Sequence, residues 1–165
     1  MLSALMESFC IYDNASYTSL PPTVMRFATT NGPGKWLVDR CNKRLADGQQ
    51  FSCCTIVELD TRSCLVAIVA QRFGTAELIS ALEDALAQHE PPGTIFVGQH
   101  TSAEFHHLVM WGVRRGVEIL PNIPSGTGST LHAMRMPAGE RWSSLDQAKR
   151  TIARWRRASS RQLRN

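Results

Sequence analysis

Phe51-Ser52-Cys53-Cys54-Thr55-Ile56-Val57 and Cys64-Leu65-Val66-Ala67-Ile68-Val69-Ala70, joined by Glu58-Leu59-Asp60-Thr61-Arg62-Ser63, decide the fold. Each run is short, apolar and rich in β-branched residues, and the polar link between them has hairpin length. Upstream, a turn at Ala46-Asp47-Gly48 separates the first run from an apolar stretch that begins at Trp36-Leu37-Val38. Three consecutive antiparallel strands follow. Downstream, Gly74-Thr75 opens a helix whose Leu78, Ile79, Leu82, Ala85 and Leu86 recur at helical spacing, and Pro91-Pro92-Gly93 stops it. Thr94-Ile95-Phe96-Val97 reads as a buried fourth strand. A helix from about Ala103 to Arg115 brings Phe105, Leu108, Val109 and Gly112 together; Gly116 ends it, and Val117-Glu118-Ile119-Leu120 makes a fifth strand.

Pro121 to Gly128 is rich in Pro, Gly, Ser and Thr and reads as a loop, with a short helix expected from Ser129 to Met136. In the last helix Ser144 and Gln147 fit a capping box, and Leu145, Ala148, Ile152 and Trp155 form one apolar stripe. The order βββαβαβαα implies an α/β fold: a mixed five-stranded sheet flanked by helices.

A chain of 165 residues makes one domain with at most a short extension. At 43% hydrophobic and 19% charged it is neither disordered nor membrane-like. No apolar run approaches the roughly 20 residues a spanning helix needs. Glu7 interrupts the short apolar start, so no signal peptide is read and a cytoplasmic location is expected. Residues 1–34, broken by Leu20-Pro21-Pro22-Thr23 and Asn31-Gly32-Pro33-Gly34, read as an extension or linker. The five cysteines, Cys10, Cys41, Cys53, Cys54 and Cys64, include no Cys-x-x-Cys pair and read as small core residues; Cys53 and Cys54, adjacent in a strand, point to opposite faces.

Charge is uneven. Residues 141–165 carry eight basic residues against Asp146, a local charge of +7 in a chain of +4, which leaves −3 elsewhere. A basic end of this kind is the footprint of a phosphate-backbone binder, and equally of a solvated basic helix.

Several stretches resemble one family. Trp36-x-x-Asp39 followed by Leu45-Ala46-Asp47-Gly48-x-x-Phe51, then Thr55-Ile56-Val57-Glu58-Leu59-Asp60-Thr61-Arg62-Ser63-Cys64-Leu65, then Trp111 with Arg115-Gly116-Val117, match in order and spacing. So do Trp142, Ser144, Leu145, Ala148, Thr151, Ile152, Trp155, Arg156 and Arg157. The pattern resembles the catalytic core of bacterial insertion-sequence transposases, of the retroviral-integrase superfamily. The resemblance implies a ribonuclease-H-like core over 35–157, with a gap near 135–141, and a basic tail over 158–165.

Family members cut and join DNA by in-line attack on a phosphodiester, with two divalent metals about 4 Å apart activating the attacking oxygen and neutralising the leaving one. Three carboxylates hold Mg²⁺ or Mn²⁺ there. Asp39 matches the first and is the one metal ligand the resemblance supplies. The second position falls on Gly98, where the family's Asp-Asn-Gly-x-Glu-Phe motif is replaced by Gly98-Gln99-His100-Thr101-Ser102-Ala103. The third, after 35 intervening residues, falls on Met134. Neither offers the metal an oxygen, so the resemblance implies that the metal is not bound and strand transfer is lost.

The reading is therefore a degenerate transposase core. One alternative is a non-enzymatic nucleic-acid binder using Lys149, Arg150, Arg154, Arg156 and Arg157. Another is an active enzyme whose metal site is rebuilt from His100, Glu104, Glu140 or Glu58. The resemblance implies DNA as partner, held by its phosphates, allows a homo-oligomer, and involves no membrane. His106, His107 and His132 lack zinc-ligand spacing, and Ser125, Ser129 and His132 lack a nucleophile elbow.

Overall fold

The computed structural model describes residues 34–98, 100–121 and 141–161. The expected loop from residue 122, the helix at 129–136, the gap near 135–141, and Met134, Glu140, Ser125, Ser129 and His132 lie outside the described residues, as does almost all of the N-terminal extension.

Three strands, β1 (Gly34–Arg44), β2 (Gln50–Glu58) and β3 (Ser63–Ala70), form the expected antiparallel meander. Helix α1 (Thr75–Gln88) carries the chain to β4 (Pro92–Val97), and α2 (Ser102–Arg115) carries it to β5 (Glu118–Leu120). The sheet order is β3-β2-β1-β4-β5, with β4 parallel to β1 and β5 parallel to β4. Thus β1 sits at the centre, where its middle is held from both sides. Helix α3 (Leu145–Arg161) packs on β3 and continues past 157, so the boundary expected there falls inside a helix.

Side-chain alternation divides the sheet into two faces. Trp36 and Val38 of β1, Cys54 and Ile56 of β2, and Ile95 and Val97 of β4 pack against α1 and α2 through Leu78, Leu82, Phe105 and Leu108. Phe51, Cys53 and Val69 face the other way, against Trp142, which precedes α3, and Ala148 and Ile152 within it. Cys53 and Cys54 do point to opposite faces. Trp155, half-buried in the second cluster, is a packing residue.

Local chemistry explains the boundaries. The fourth strand starts at Pro92 rather than Thr94: Pro92 pairs with Gly34 and Thr94 with Lys35, so Gly93 is the extra residue of a bulge, a site where proline is tolerated. Helix α2 carries a capping box, with the Thr101 hydroxyl accepting from the Glu104 N–H at 3.2 Å and Glu104 accepting from the Thr101 N–H at 2.8 Å. It ends at Gly116, whose φ of 68° is left-handed. At α3, Ser144 caps the Gln147 N–H as expected, but Gln147 reaches back to the N–H and hydroxyl of Ser143 instead of to Ser144. Gly112 is where α2 crosses β5: an added Cβ would stand 2.6 Å from both Ile119 Cγ1 and the Val117 carbonyl oxygen.

Candidate active site and basic helix

Asp39 lies mid-strand in β1. It shares a face with Leu37 and Cys41, opposite Thr55 of β2, and turns away from the α1–α2 face. On its other side β4 runs parallel: Leu37 pairs with Phe96 and Val38 with Val97. The ladder continues one step, because the Gly98 N–H donates to the Val38 carbonyl at 2.8 Å. Residue 98 has the parity of Phe96, so it lies next to Asp39 on the same face. The structure thus brings the first two expected positions together, and the second is a buried glycine.

Among the described residues, Glu104, His100 and Glu58 are engaged elsewhere. Arg40, next along β1, points to the opposite face and donates from Nη1 and Nη2 to Glu104 Oε1 at 2.8 and 3.0 Å. With Arg40 and Glu104 only 21% and 17% exposed, this ion pair is partly shielded and ties the sheet centre to the N-terminus of α2. Arg40 also stands 5.8 Å from the centroid of the Phe73 ring. His100 stacks on Phe105 with ring centroids 4.7 Å apart, on that same side of the sheet. Glu58 sits at the far end of β2, opposite Trp36, and accepts a hydrogen bond from the Thr61 hydroxyl within the β2–β3 turn. A rebuilt site from Glu104, His100 and Asp39 would need ligands from both faces of one sheet.

Arg40, Cys41, Asn42, Ser52, His100, Thr101 and Glu104 line an open cleft of about 250 Å³ beside the start of α2. It does not include Asp39. Among the described residues, no three His, Cys, Asp or Glu side chains converge as a metal group. The described part of the Asp39 face therefore does not fit a two-metal centre: it provides a carboxylate at 39 and no side-chain oxygen at 98.

Cysteine chemistry near Asp39 is denser than the sequence reading allows. Cys41 and Cys53 are direct cross-strand partners. The Cys53 thiol donates to the Cys41 sulfur, which lowers Cys41 below the ordinary thiol range and, with burial, raises Cys53. Burial pushes Cys54 up to about 12 and Cys64 to about 11, the latter against the pull of nearby Arg156. The turn held the signal for the Cys41–Cys53 pair: a hairpin centred on Asp47 pairs residues six before and six after it.

The basic residues of α3 separate by position. Lys149, Arg150, Arg154 and Arg157 are exposed, whereas Arg156 is half-buried on the side facing Cys64 of β3. Arg150, Arg154 and Arg157, spaced four and three apart, form one outward ridge opposite the Ala148–Ile152 stripe. Arg156 does not belong to it. Among the described residues no helix is long and apolar enough to cross a membrane.

No protein-family model and no curated protein matches the sequence. Solved structures do match. The catalytic domain of Mos1 transposase, in a structure with Raltegravir and Mg, superposes with a TM-score of 0.52 at 13% identity over 76% of this chain and 73% of that one. The catalytic core domain of HTLV-2 integrase, in complex with magnesium, gives 0.51 at 13% identity, covering 74% of this chain and 81% of that one. A chain of the simian T-cell lymphotropic virus intasome gives 0.48 at 17% identity, and this chain spans 38% of its length. The likeness to the first two is one of fold: a mixed five-stranded sheet with helices on both faces, as in ribonuclease-H-like integrase cores.

Proposed function

We propose that this chain is an integrase-type core with a DNA-transposition-related role, holding DNA by its phosphates through α3 and lacking two-metal strand transfer. One observation carries the reading: the strand end beside Asp39 is Gly98, hydrogen-bonded into the ladder by its backbone. A lone carboxylate gives a hard divalent ion too few charged oxygens to replace its water shell. The metal seen with the Mos1 and HTLV-2 neighbours is thus not expected here at useful affinity. The expected third position, Met134, offers no oxygen either.

The exposed Arg150–Arg154–Arg157 ridge supports the binding half of the proposal. Guanidinium groups pair with phosphate oxygens in a fork geometry that an ammonium lacks. A ridge of this kind reads charge rather than base sequence.

The test is fluorescence anisotropy with duplex DNA over a salt series, with and without Mn²⁺. The expected result is binding that weakens steeply with salt and ignores the metal. Each phosphate neutralised on duplex DNA adds about 0.9 to the slope of log K against log salt. Replacing Arg150, Arg154 and Arg157 by Gln should therefore make that slope shallower by roughly 3. No binding, or an unchanged slope, contradicts the proposal.

A further inference from the structure

The thiols of Cys41 and Cys53 stand directly opposite each other on adjacent antiparallel strands, β1 and β2. Being in register, both side chains leave the sheet on one face, the face of Asp39. Directly opposed residues in such a ladder have Cα atoms about 4.5 or 5.5 Å apart, inside the span of roughly 4.4 to 6.8 Å that a disulfide bridges. Cys41 is half-buried and Cys53 wholly buried among Phe51, Val69 and Trp142, so a reagent meets Cys41 first and finds Cys53 behind it. Cys54 faces the opposite side of the sheet, and Cys64 pairs with Val57. Neither competes for Cys41.

We propose that Cys41 and Cys53 are an oxidisable dithiol, with Cys41 the thiol that attacks hydrogen peroxide and Cys53 the thiol that resolves it. The Cys41 sulfur attacks one peroxide oxygen, the O–O bond breaks, and Cys41 becomes a sulfenic acid while the other oxygen leaves as water with the thiol proton. The Cys53 sulfur then attacks the sulfenic sulfur. The S–S bond forms, the S–O bond breaks, and the hydroxyl leaves as water with the Cys53 proton. One hydrogen peroxide is reduced to two waters and two thiols are oxidised to one disulfide. The bond staples β1 to β2 two residues from Asp39. This chemistry is independent of DNA binding by α3.

The experiment treats the full chain with hydrogen peroxide, counts free thiols and maps tryptic peptides by mass. The expected result is a loss of two thiols per chain, reversed by dithiothreitol, with the 41–43 peptide joined to the 45–62 peptide. Because the longer peptide contains both Cys53 and Cys54, variants decide between them. The link should persist in Cys54→Ser and vanish in Cys53→Ser, where dimedone should trap the sulfenic acid on Cys41. Cys41→Ser, a change at the less buried position, should abolish both the link and the adduct, with circular dichroism confirming the fold. A link that survives Cys53→Ser, a link to Cys10 or Cys64, or no loss of thiols overturns the proposal.

Discussion

The Gly98 N–H donates to the Val38 carbonyl across 2.8 Å, which extends the β1–β4 ladder and places residue 98 beside Asp39. The relationship is one of backbone, so it survives the loss of any side chain at 98. Position 98 stands beside Asp39 on one face of the sheet, and as glycine it carries no carboxylate.

Restoring that group should make the relationship visible. Gly98→Asp puts two like charges next to each other in a partly buried setting, where each disfavours ionisation of the other. Without metal, the variant's thermal midpoint should fall below wild type. Mn²⁺ should recover it and bind roughly tenfold or more tightly than to wild type, the scale expected of one added charged contact. A midpoint indifferent to Mn²⁺ would show that positions 39 and 98 do not share a site.

The Arg40–Glu104 ion pair engages Glu104 on the α2 face and gives a second test. Glu104 serves Arg40 through Oε1 and the Thr101 N–H through Oε2. Glu104→Gln leaves Arg40 shielded without its charge partner and should cost about 1–3 kcal/mol in denaturant unfolding. A cost below about 0.5 kcal/mol, the range of ordinary surface changes, would mean that the pair is incidental.

Much of this was legible in the sequence. The short β-rich runs Phe51–Val57 and Cys64–Ala70, the spacing of Leu78, Leu82 and Ala85, and the breakers at Gly74 and Gly116 each encode a local element, and those elements appear with boundaries shifted by a residue or two. The juxtaposition of 39 and 98 needed the order of strands, which local patterns do not contain; it was reached through family spacing. The partnering of Glu104 with Arg40 spans 64 positions, and no periodicity announces it. The inward turn of Arg156 depends on how α3 rolls on β3, which its mixture of Arg and Ala leaves open.

Glu83 supplies a pH test. The Trp111 indole N–H donates to it at 2.8 Å and the Arg115 Nε–H at 2.9 Å, and both hold its carboxyl below the ordinary glutamate value. A depressed folded-state pKa gives stability that is present above the unfolded-state value and lost as pH falls through the folded one. The thermal-midpoint gap between wild type and Glu83→Gln should therefore narrow as pH drops below about 4.3. A gap that stays constant down to the acid limit would contradict this.

The functional proposal turns on whether the Asp39 face holds a divalent metal. A calorimetric titration of Mn²⁺ into the full chain, beside Asp39→Ala, decides it. No submillimolar binding to either protein is expected. Submillimolar binding to wild type that Asp39→Ala abolishes would contradict the loss of the metal site.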